Sequence, residues 1–152
     1  MIRPARAGDA VAIAALDAAT WSFDVTPSPR SSVPSSIDGM LVAEDGGEIV
    51  GYVAVGRATR LESNRHVADI RGLAVAPDHQ GRGLGRALVE AALDAARERG
   101  ARKVTLRVLG PNTAARALYE SCGFVVEGVR RHEFLLDGRY VDDVLMARHL
   151  SG

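Results

Sequence analysis

The most informative stretch of the chain runs Leu73-Ala74-Val75-Ala76-Pro77-Asp78-His79-Gln80-Gly81-Arg82-Gly83-Leu84-Gly85-Arg86. It begins as a short apolar strand, turns through three glycines, and continues directly into a segment with apolar residues at helical spacing. The first N–H groups of a helix lack internal partners and carry the positive end of its dipole, so such a junction binds anions. Its glycines would let an anion approach the backbone, and Arg82 and Arg86 add positive charge. The stretch therefore predicts a local anion site.

Two standard phosphate motifs fit this stretch poorly. A nucleotide P-loop needs Lys and then Ser or Thr after its last glycine, and no such residues follow Gly85. The dinucleotide fingerprint Gly-x-Gly-x-x-Gly, started at Gly81, has Arg86 at its third glycine position. A structural alternative also stays open, in which the glycines only end a strand and begin a helix.

The composition favours one soluble domain. The chain has 152 residues with 19 basic and 19 acidic side chains, a formal net charge of zero. A chain of this size buries roughly two thirds of its unfolded surface, enough for a single domain over residues 1–152. Balanced charge provides no global field for nucleic acid or an anionic membrane, so neither is expected as a partner. Without a signal peptide or an apolar run of roughly 20 residues, we expect a cytoplasmic protein.

Periodicity and turn residues predict a mixed α/β order without repeats or linkers. Strands are expected at 2–3, 40–44, 48–56, 68–76, 104–108, 124–136 and 140–146, and helices at 9–20, 83–99 and 111–122. Glycine turns at Asp45-Gly46-Gly47 and Asp137-Gly138 predict two hairpins. Residues 24–39, rich in Ser and Pro, are expected to form a loop or broken helix and are a candidate lid.

The single cysteine, Cys122, excludes an intramolecular disulfide. Together with the four histidines it shows no metal-ligand spacing, so no metal is expected. Because it follows an expected helix and precedes Gly123, we interpret Cys122 as a packed structural thiol rather than a nucleophile.

Two motifs resemble those of the GNAT superfamily of acyl-CoA-dependent N-acyltransferases. The segment 80–85 resembles the signature Gln/Arg-x-x-Gly-x-Gly/Ala, and residues 73–77 before it resemble the family's fourth strand. The second motif resembles the family's second cofactor-contacting helix and the strand after it, with matches at Asn112, Ala115, Leu118, Tyr119, Gly123 and Phe124. The resemblance implies an α/β (α+β) fold: a single GNAT-like domain with a mixed, mostly antiparallel sheet of about six or seven strands, flanked by helices. It also implies that the fourth and fifth strands splay apart.

The resemblance further implies acetyl-CoA as the acetyl donor, with its thioester in the gap between the splayed strands. Backbone groups of residues 73–75 would pair with the pantetheine amides, a backbone N–H near Val75 would bind the oxyanion, and residues 81–86 would hold the pyrophosphate. The cofactor-binding residues expected on this basis are Leu73, Ala74, Val75, Gln80, Gly81, Arg82, Gly83, Leu84, Gly85, Arg86, Asn112, Ala115 and Tyr119.

A general acid is expected on the second motif. Asn112, Ala115 and Tyr119 are three and four residues apart, so they share one face of a helix whatever the family. The resemblance implies that Tyr119 protonates the departing thiolate of CoA and that Asn112 contacts the pantetheine arm. Taken alone, Tyr119 would also fit a core aromatic residue near a helix end.

A general base is needed because an alkyl amine, with a pKa of roughly 10, is mostly protonated at pH 7. Asp69 is the leading candidate, acting directly or through water. It stands six residues before Val75, in the strand where some members of the family carry a catalytic Glu. The alternatives are Glu44, His66, His132 and Glu133, each of which also fits an ordinary strand residue.

The acceptor site is expected to involve residues 21–40, the hairpin around Asp45 and the last two strands. Its candidate side chains are Trp21, Phe23, Arg130, Arg131, His132, Tyr140, Asp142 and Asp143. This mixed set fits an amino acid, a polyamine, an antibiotic or a peptide N-terminus, and it does not choose among them. Asp142 and Asp143 offer a site for a cationic amine, but neighbours on a strand point to opposite faces, so both are expected to be exposed charges.

Two functions follow. The first is an acetyl-CoA-dependent N-acetyltransferase acting on a small-molecule or peptide amine, and the alternative is a non-catalytic acyl-CoA sensor or interaction module of the same fold. Tyr119 beside an intact glycine loop favours the enzyme, because a pure binder needs the loop and not the acid. A homodimer is left open.

Overall fold

A seven-stranded sheet organises the computed structural model, which describes residues 1–20, 22, 27, 34 and 36–151. The strands are β1 (Ile2–Pro4), β2 (Met40–Asp45), β3 (Glu48–Arg57), β4 (Val67–Val75), β5 (Lys103–Leu109), β6 (Val125–Leu136) and β7 (Arg139–His149). The helices are α1 (Ala10–Thr20), α2 (Leu84–Glu98) and α3 (Thr113–Ser121). The strand order is β1-β2-β3-β4-β5-β7-β6, and only β4 and β5 pair in parallel. The predicted α/β fold, with its mostly antiparallel sheet, is confirmed.

The predicted elements are all present, with small differences at their ends. Helix α3 begins at Thr113 rather than Pro111, because Asn112 is its N-cap. Strand β7 continues three residues beyond the predicted end, since β5 pairs with it as far as the Lys103–His149 pair. Of the candidate lid at 24–39, only residues 27, 34 and 36–39 lie among the described residues.

The two faces of the sheet carry different helices. Helices α2 and α3 cover one face, where Leu88, Leu93 and Phe124 are buried among strand side chains. Helix α1 covers the other face and packs there through Ile13 and Leu16. No helix in the described part of the chain is long and apolar enough to cross a membrane.

Strands β4 and β5 separate soon after they meet. They pair only at Val67–Lys103, Ala68–Val104 and Asp69–Thr105, so residues 70–75 of β4 and 106–109 of β5 lack this pairing. The register of β4 against β3 shifts so that Arg71 is an extra residue. A bulge of this kind bends a strand and increases its twist. The bend comes where β4 leaves β5, and the two strands splay apart there, as the family resemblance implied.

Candidate active site

The gap between β4 and β5 holds a cavity of about 400 Å³. Helix α3 contributes Asn112, Ala115 and Tyr119 to its wall from one face of the sheet. Helix α1 contributes Asp17 and Thr20 from the opposite face. The cavity therefore reaches both faces of the sheet.

The backbone of β4 presents hydrogen-bonding groups to this gap. The N–H of Ala76 donates to the carbonyl of Val50 on β3 at 2.8 Å. The directions of the backbone N–H and C=O groups alternate along a strand. The backbone groups of Ala74 therefore also point toward β3, whereas those of Leu73 and Val75 point into the gap. The structure thus brings two of the three predicted strand residues to the gap, and the side chain of Ala74 is buried under α1.

Gln80 connects the glycine loop to this strand. Its side-chain amide donates a hydrogen bond to the carbonyl of Val75 at 3.0 Å. This carbonyl points into the gap, and the hydrogen bond from Gln80 satisfies it. The backbone N–H of Val75 remains available to a ligand in the gap. This contact also ties the loop to the end of β4.

The loop after Gln80 is an open backbone turn. Gly81 and Gly83 have φ angles of +77° and +82°, and no heavy atom lies within 4 Å of a Cβ built on either. The first helical hydrogen bond of α2 runs from the N–H of Ala87 to the carbonyl of Gly83 at 3.1 Å. Within the described residues, the N–H groups of 81–86 donate to no acceptor. These free donors, at the positive end of α2, are suited to an anion.

Gly85 serves packing rather than anion approach. A Cβ at this position would lie 3.3 Å from Cδ2 of Leu118, so the missing side chain lets α2 and α3 pack closely. Leu84 likewise packs against the core. Arg82 and Arg86 are exposed beside the loop, and neither forms an ion pair with another described residue.

Tyr119 is buried on the wall of the cavity, with 8% of its surface exposed. Its ring packs edge-on against Phe124, with centroids 5.9 Å apart. Burial raises the pKa of its hydroxyl to about 12, so the group stays protonated at neutral pH and can act as a proton donor. Cys122, close by, is buried as predicted, and burial raises the pKa of its thiol as well.

Asn112 both caps α3 and lines the cavity. Its side-chain oxygen accepts a hydrogen bond from the N–H of Ala115 at 3.2 Å, which leaves the NH₂ group for other partners.

We expect Asn112→Ala to lower the free energy of unfolding by about 1 kcal/mol, because a helix loses its N-cap. Asn112→Ser keeps a capping oxygen, so it should lose much less stability while also removing the amide from the cavity. Urea denaturation of both variants measures the difference. Equal losses of stability in the two variants would contradict a capping role.

Asp69 lies at the last paired position of β4 and β5, beside the cavity rather than on its wall. Its carboxylate accepts a hydrogen bond from the hydroxyl of Thr105 at 2.7 Å, and Nε of Arg71 lies 3.9 Å away. Burial raises the pKa of Asp69.

The other base candidates lie away from the cavity wall. Glu44 pairs with Arg3 at 2.9 Å, and His66 is exposed. His132 is also exposed, with its ring centroid 5.7 Å from that of Tyr140. Glu133 pairs with Arg130 at 3.4 Å.

The predicted acceptor residues are mostly not at the cavity. Trp21 and Phe23 lie outside the described residues. Four others are exposed on β6 and β7 and are absent from the cavity wall: Arg130, Arg131, His132 and Tyr140. Asp142 accepts a hydrogen bond from the backbone N–H of His132 at 2.9 Å. The expectation of two exposed charges is wrong for Asp143, which is 2% exposed because Arg107 pairs with it.

Among the cavity residues that sequence reasoning missed are the charged residues Asp17 and Arg107. Asp17 accepts a hydrogen bond from the hydroxyl of the buried Tyr52 at 2.5 Å. It follows Ile13 by four residues, so it lies on the buried face of α1, where a charged side chain is unusual. Arg107 interrupts an apolar strand. A charge within an apolar pattern is the signal that could have found both.

No group of three or more His, Cys, Asp or Glu side chains among the described residues is arranged to hold a metal ion.

Comparison with known proteins gives a family match and related sequences. Residues 12–124 match the Acetyltransferase (GNAT) family. The L-amino acid N-acyltransferase MnaT of Escherichia coli K12 is 33% identical over 112 residues, which are 74% of this chain and 64% of that protein. The [ribosomal protein bS18]-alanine N-acetyltransferase of the same organism is 44% identical over 85 residues, 55% of this chain and 57% of that enzyme. The chain thus spans less than two thirds of the length of these relatives.

A solved structure shares the whole architecture. It is that of yncA, a putative acetyltransferase from Salmonella typhimurium with its cofactor acetyl-CoA, at 26% identity and a TM-score of 0.87. The likeness covers 100% of this chain and 94% of that one. The family match takes in β4, the glycine loop, α2 and α3, the elements that build the cavity and the anion loop, and on this ground the chain belongs to the GNAT family of acetyltransferases.

Proposed function

We propose that the protein is an acetyl-CoA-dependent N-acetyltransferase that transfers an acetyl group directly to a primary amine of a small molecule or a peptide N-terminus. The observation that carries the proposal is the position of Tyr119, a protonated hydroxyl on the wall of the gap that the open backbone of β4 borders. The related enzymes named above act on amino acids and on a ribosomal protein alanine, which supports an amine acceptor.

The donor is held by backbone groups for most of its length. The free N–H groups of 81–86 and the nearby Arg82 and Arg86 suit a pyrophosphate. The backbone groups of Leu73 and Val75 that point into the gap can pair with the amides of a pantetheine arm, which would then lie along β4 like an added strand. The free NH₂ of Asn112 is a further donor to that arm. A chain with no net charge holds a polyanion in this way.

The chemistry follows from the groups around the gap. Acetyl-CoA supplies an acetyl thioester, whose carbon forms a bond to the amine nitrogen while its bond to sulfur breaks. Of the N–H groups that face the gap, that of Leu73, a residue on the cavity wall, faces the region where negative charge develops on the carbonyl oxygen, and that of Val75 is left for the pantetheine arm. Tyr119 gives its proton to the departing sulfur, and Asp69 accepts the proton of the amine through water. The amine reaches the gap from the α1 face, opposite Tyr119.

The proposal is tested by following thiol release from acetyl-CoA over a panel of amines, amino acids and peptides. Turnover with at least one class supports the enzyme. Tight binding of acetyl-CoA without turnover of any acceptor would instead support a sensor.

Asp69→Asn is expected to lower kcat/KM at least about 10-fold at neutral pH, because it removes the base but keeps an acceptor for Thr105. The base must be ionised, so wild-type activity falls as pH drops through the raised pKa of Asp69, and this acid limb should be missing in the variant. A raised carboxyl pKa stabilises the fold only at low pH, and this contribution is lost as pH rises through it. The variant should therefore lose no stability at pH 7.

The control for this experiment is Asp94→Asn, which changes a carboxylate on the surface of α2. It should leave the pH profile unchanged. An Asp69→Asn profile that kept the wild-type acid limb would assign the base elsewhere.

A further inference from the structure

Arg107 and Asp143 form an unusual ion pair on the cavity wall. Asp143 is the only charged residue among the described ones that is fully buried, whereas the side chain of Arg107 is 53% exposed. Nε of Arg107 donates to Oδ2 of Asp143 at 2.7 Å, and Nη2 donates to the same oxygen. The hydrogen bonds that Arg107 donates to Asp143 raise the pKa of the guanidinium, which stays charged. The pair thus fixes one edge of the guanidinium and leaves the other edge free.

A buried ion pair is weak evidence for a stabilising role, because desolvation offsets most of its attraction. Its clearer effect here is to orient a cation. A guanidinium has five N–H donors in a rigid plane, and Nη1 of Arg107 donates to no residue in the described part of the chain. An arginine held in one orientation with its free edge toward a cavity is preorganised to bind a carboxylate.

The position of Arg107 separates it from the donor. Leu106 and Val108 are buried under α2 and α3, so Arg107 between them faces the α1 side, opposite Tyr119. If the parallel register of β4 and β5 is continued, Arg107 lies level with Arg71. Arg71 is four residues before the end of β4, so Arg107 lies roughly 13 Å along the strand from that end. It is therefore far from the glycine loop and lies on the side from which the acceptor enters.

The charges of the described residues on the cavity wall balance. The charged side chains among them are Asp17, Arg71, Arg107 and Asp143, two of each sign. Asp17 lies on α1, across the cavity from the sheet, and one of its oxygens accepts a hydrogen bond from the hydroxyl of Tyr52. This pattern suits a zwitterion. It suits a polyamine poorly, because the exposed guanidinium would face a second cation.

We propose that the acceptor is a free α-amino acid, or a compound with the same amine and carboxylate, whose carboxylate binds Arg107. This inference rests on the proposed function and narrows its acceptor class. Asp17 faces the ammonium group before it loses its proton. A peptide N-terminus has a neutral amide where the amino acid has its carboxylate, so it leaves the free edge of Arg107 unpaired.

The test compares matched acceptors with the wild-type protein. A set of L-amino acids is assayed against their amides, their decarboxylated amines and spermidine. We expect kcat/KM for the free acids to exceed that for the matched amides by about 100-fold, because a neutral amide cannot form the charged hydrogen bonds that a carboxylate accepts from Arg107. Equal or better activity with amides, decarboxylated amines or spermidine would overturn the proposal.

In the variant Arg107→Gln, the ratio of kcat/KM for the free acid to kcat/KM for its amide should fall to about one, while turnover of the amide is retained. Because Asp143 would then be buried without a partner, the double variant Arg107→Gln/Asp143→Asn is made as well and should show the same loss of preference. The matched control is Arg97→Gln, which breaks a surface ion pair with Asp94 on α2 and should keep the wild-type preference. A double variant that folds and still prefers the acid would overturn the proposal.

Binding separates this inference from the proposed function. Acetyl-CoA affinity is measured by calorimetry. If the protein does not bind acetyl-CoA, this result counts against the proposed function alone. The amino acid and its amide are also titrated by NMR, with CoA present and without it. Preferential binding of the acid by the wild type, lost in Arg107→Gln, supports the carboxylate site even without turnover, and equal affinities overturn it.

Discussion

Gly83→Asp is expected to abolish acetyl-CoA binding, with a Kd at least about 100-fold weaker than that of the wild type. Gly83 has a φ of +82°, a conformation that costs a side-chain-bearing residue roughly 1–2 kcal/mol. The new carboxylate would also stand among free N–H donors at the start of α2 and compete with the pyrophosphate for them. Isothermal titration calorimetry with acetyl-CoA measures the loss.

Two controls separate charge from backbone strain. Gly83→Ala brings the strain without the carboxylate, so its affinity should lie between those of the wild type and Gly83→Asp. Gly138→Asp introduces the same residue at a φ of +76°, in the open turn between β6 and β7. It should bind acetyl-CoA like the wild type. Wild-type affinity in Gly83→Asp would show that the loop does not hold the phosphates.

Tyr119→Phe is expected to lower kcat by about 100-fold or more, while acetyl-CoA affinity changes little. The ring stays in place against Phe124, so the variant removes one hydroxyl and leaves the packing intact. With a pKa of about 12, the wild-type hydroxyl holds its proton throughout the neutral range. The acid therefore produces no alkaline limb near neutral pH, and any limb found there belongs to another group.

The measurement is single-turnover release of CoA from the preformed acetyl-CoA complex. Tyr140→Phe, which removes an exposed hydroxyl on β7, is the matched control and should have wild-type rates. Release at the wild-type rate from Tyr119→Phe would leave the tyrosine with a packing role only.

Local sequence patterns predicted the elements that surround the proposed donor site. The order strand, glycine loop and helix over residues 73–86 depends on neighbours along the chain, as does the common face of Asn112, Ala115 and Tyr119. Backbone turns and helix faces are determined within a few residues, so the pattern carries the information. The uses of the donor residues remain a prediction until binding is measured.

The charged residues proposed for the acceptor side depend on contacts between distant parts of the chain. Asp143 is buried because Arg107 reaches it from the neighbouring strand, and Asp17 meets Tyr52 across the interface of α1 and β3. No local periodicity reports such pairings. Gly85 is a similar case, since its close neighbour Leu118 belongs to another helix.

The extra residue at Arg71 has a consequence for how this site could be altered. The bulge comes from the number of residues in β4 and not from the side chain at position 71, because β3 simply has one fewer residue to match. We therefore expect a substitution at position 71 to keep the extra residue in place. A single-residue deletion in β4 would instead realign the strand with its neighbours and allow it to continue along β5. The gap between β4 and β5 thus depends on the number of residues in β4, a property that insertions and deletions test directly.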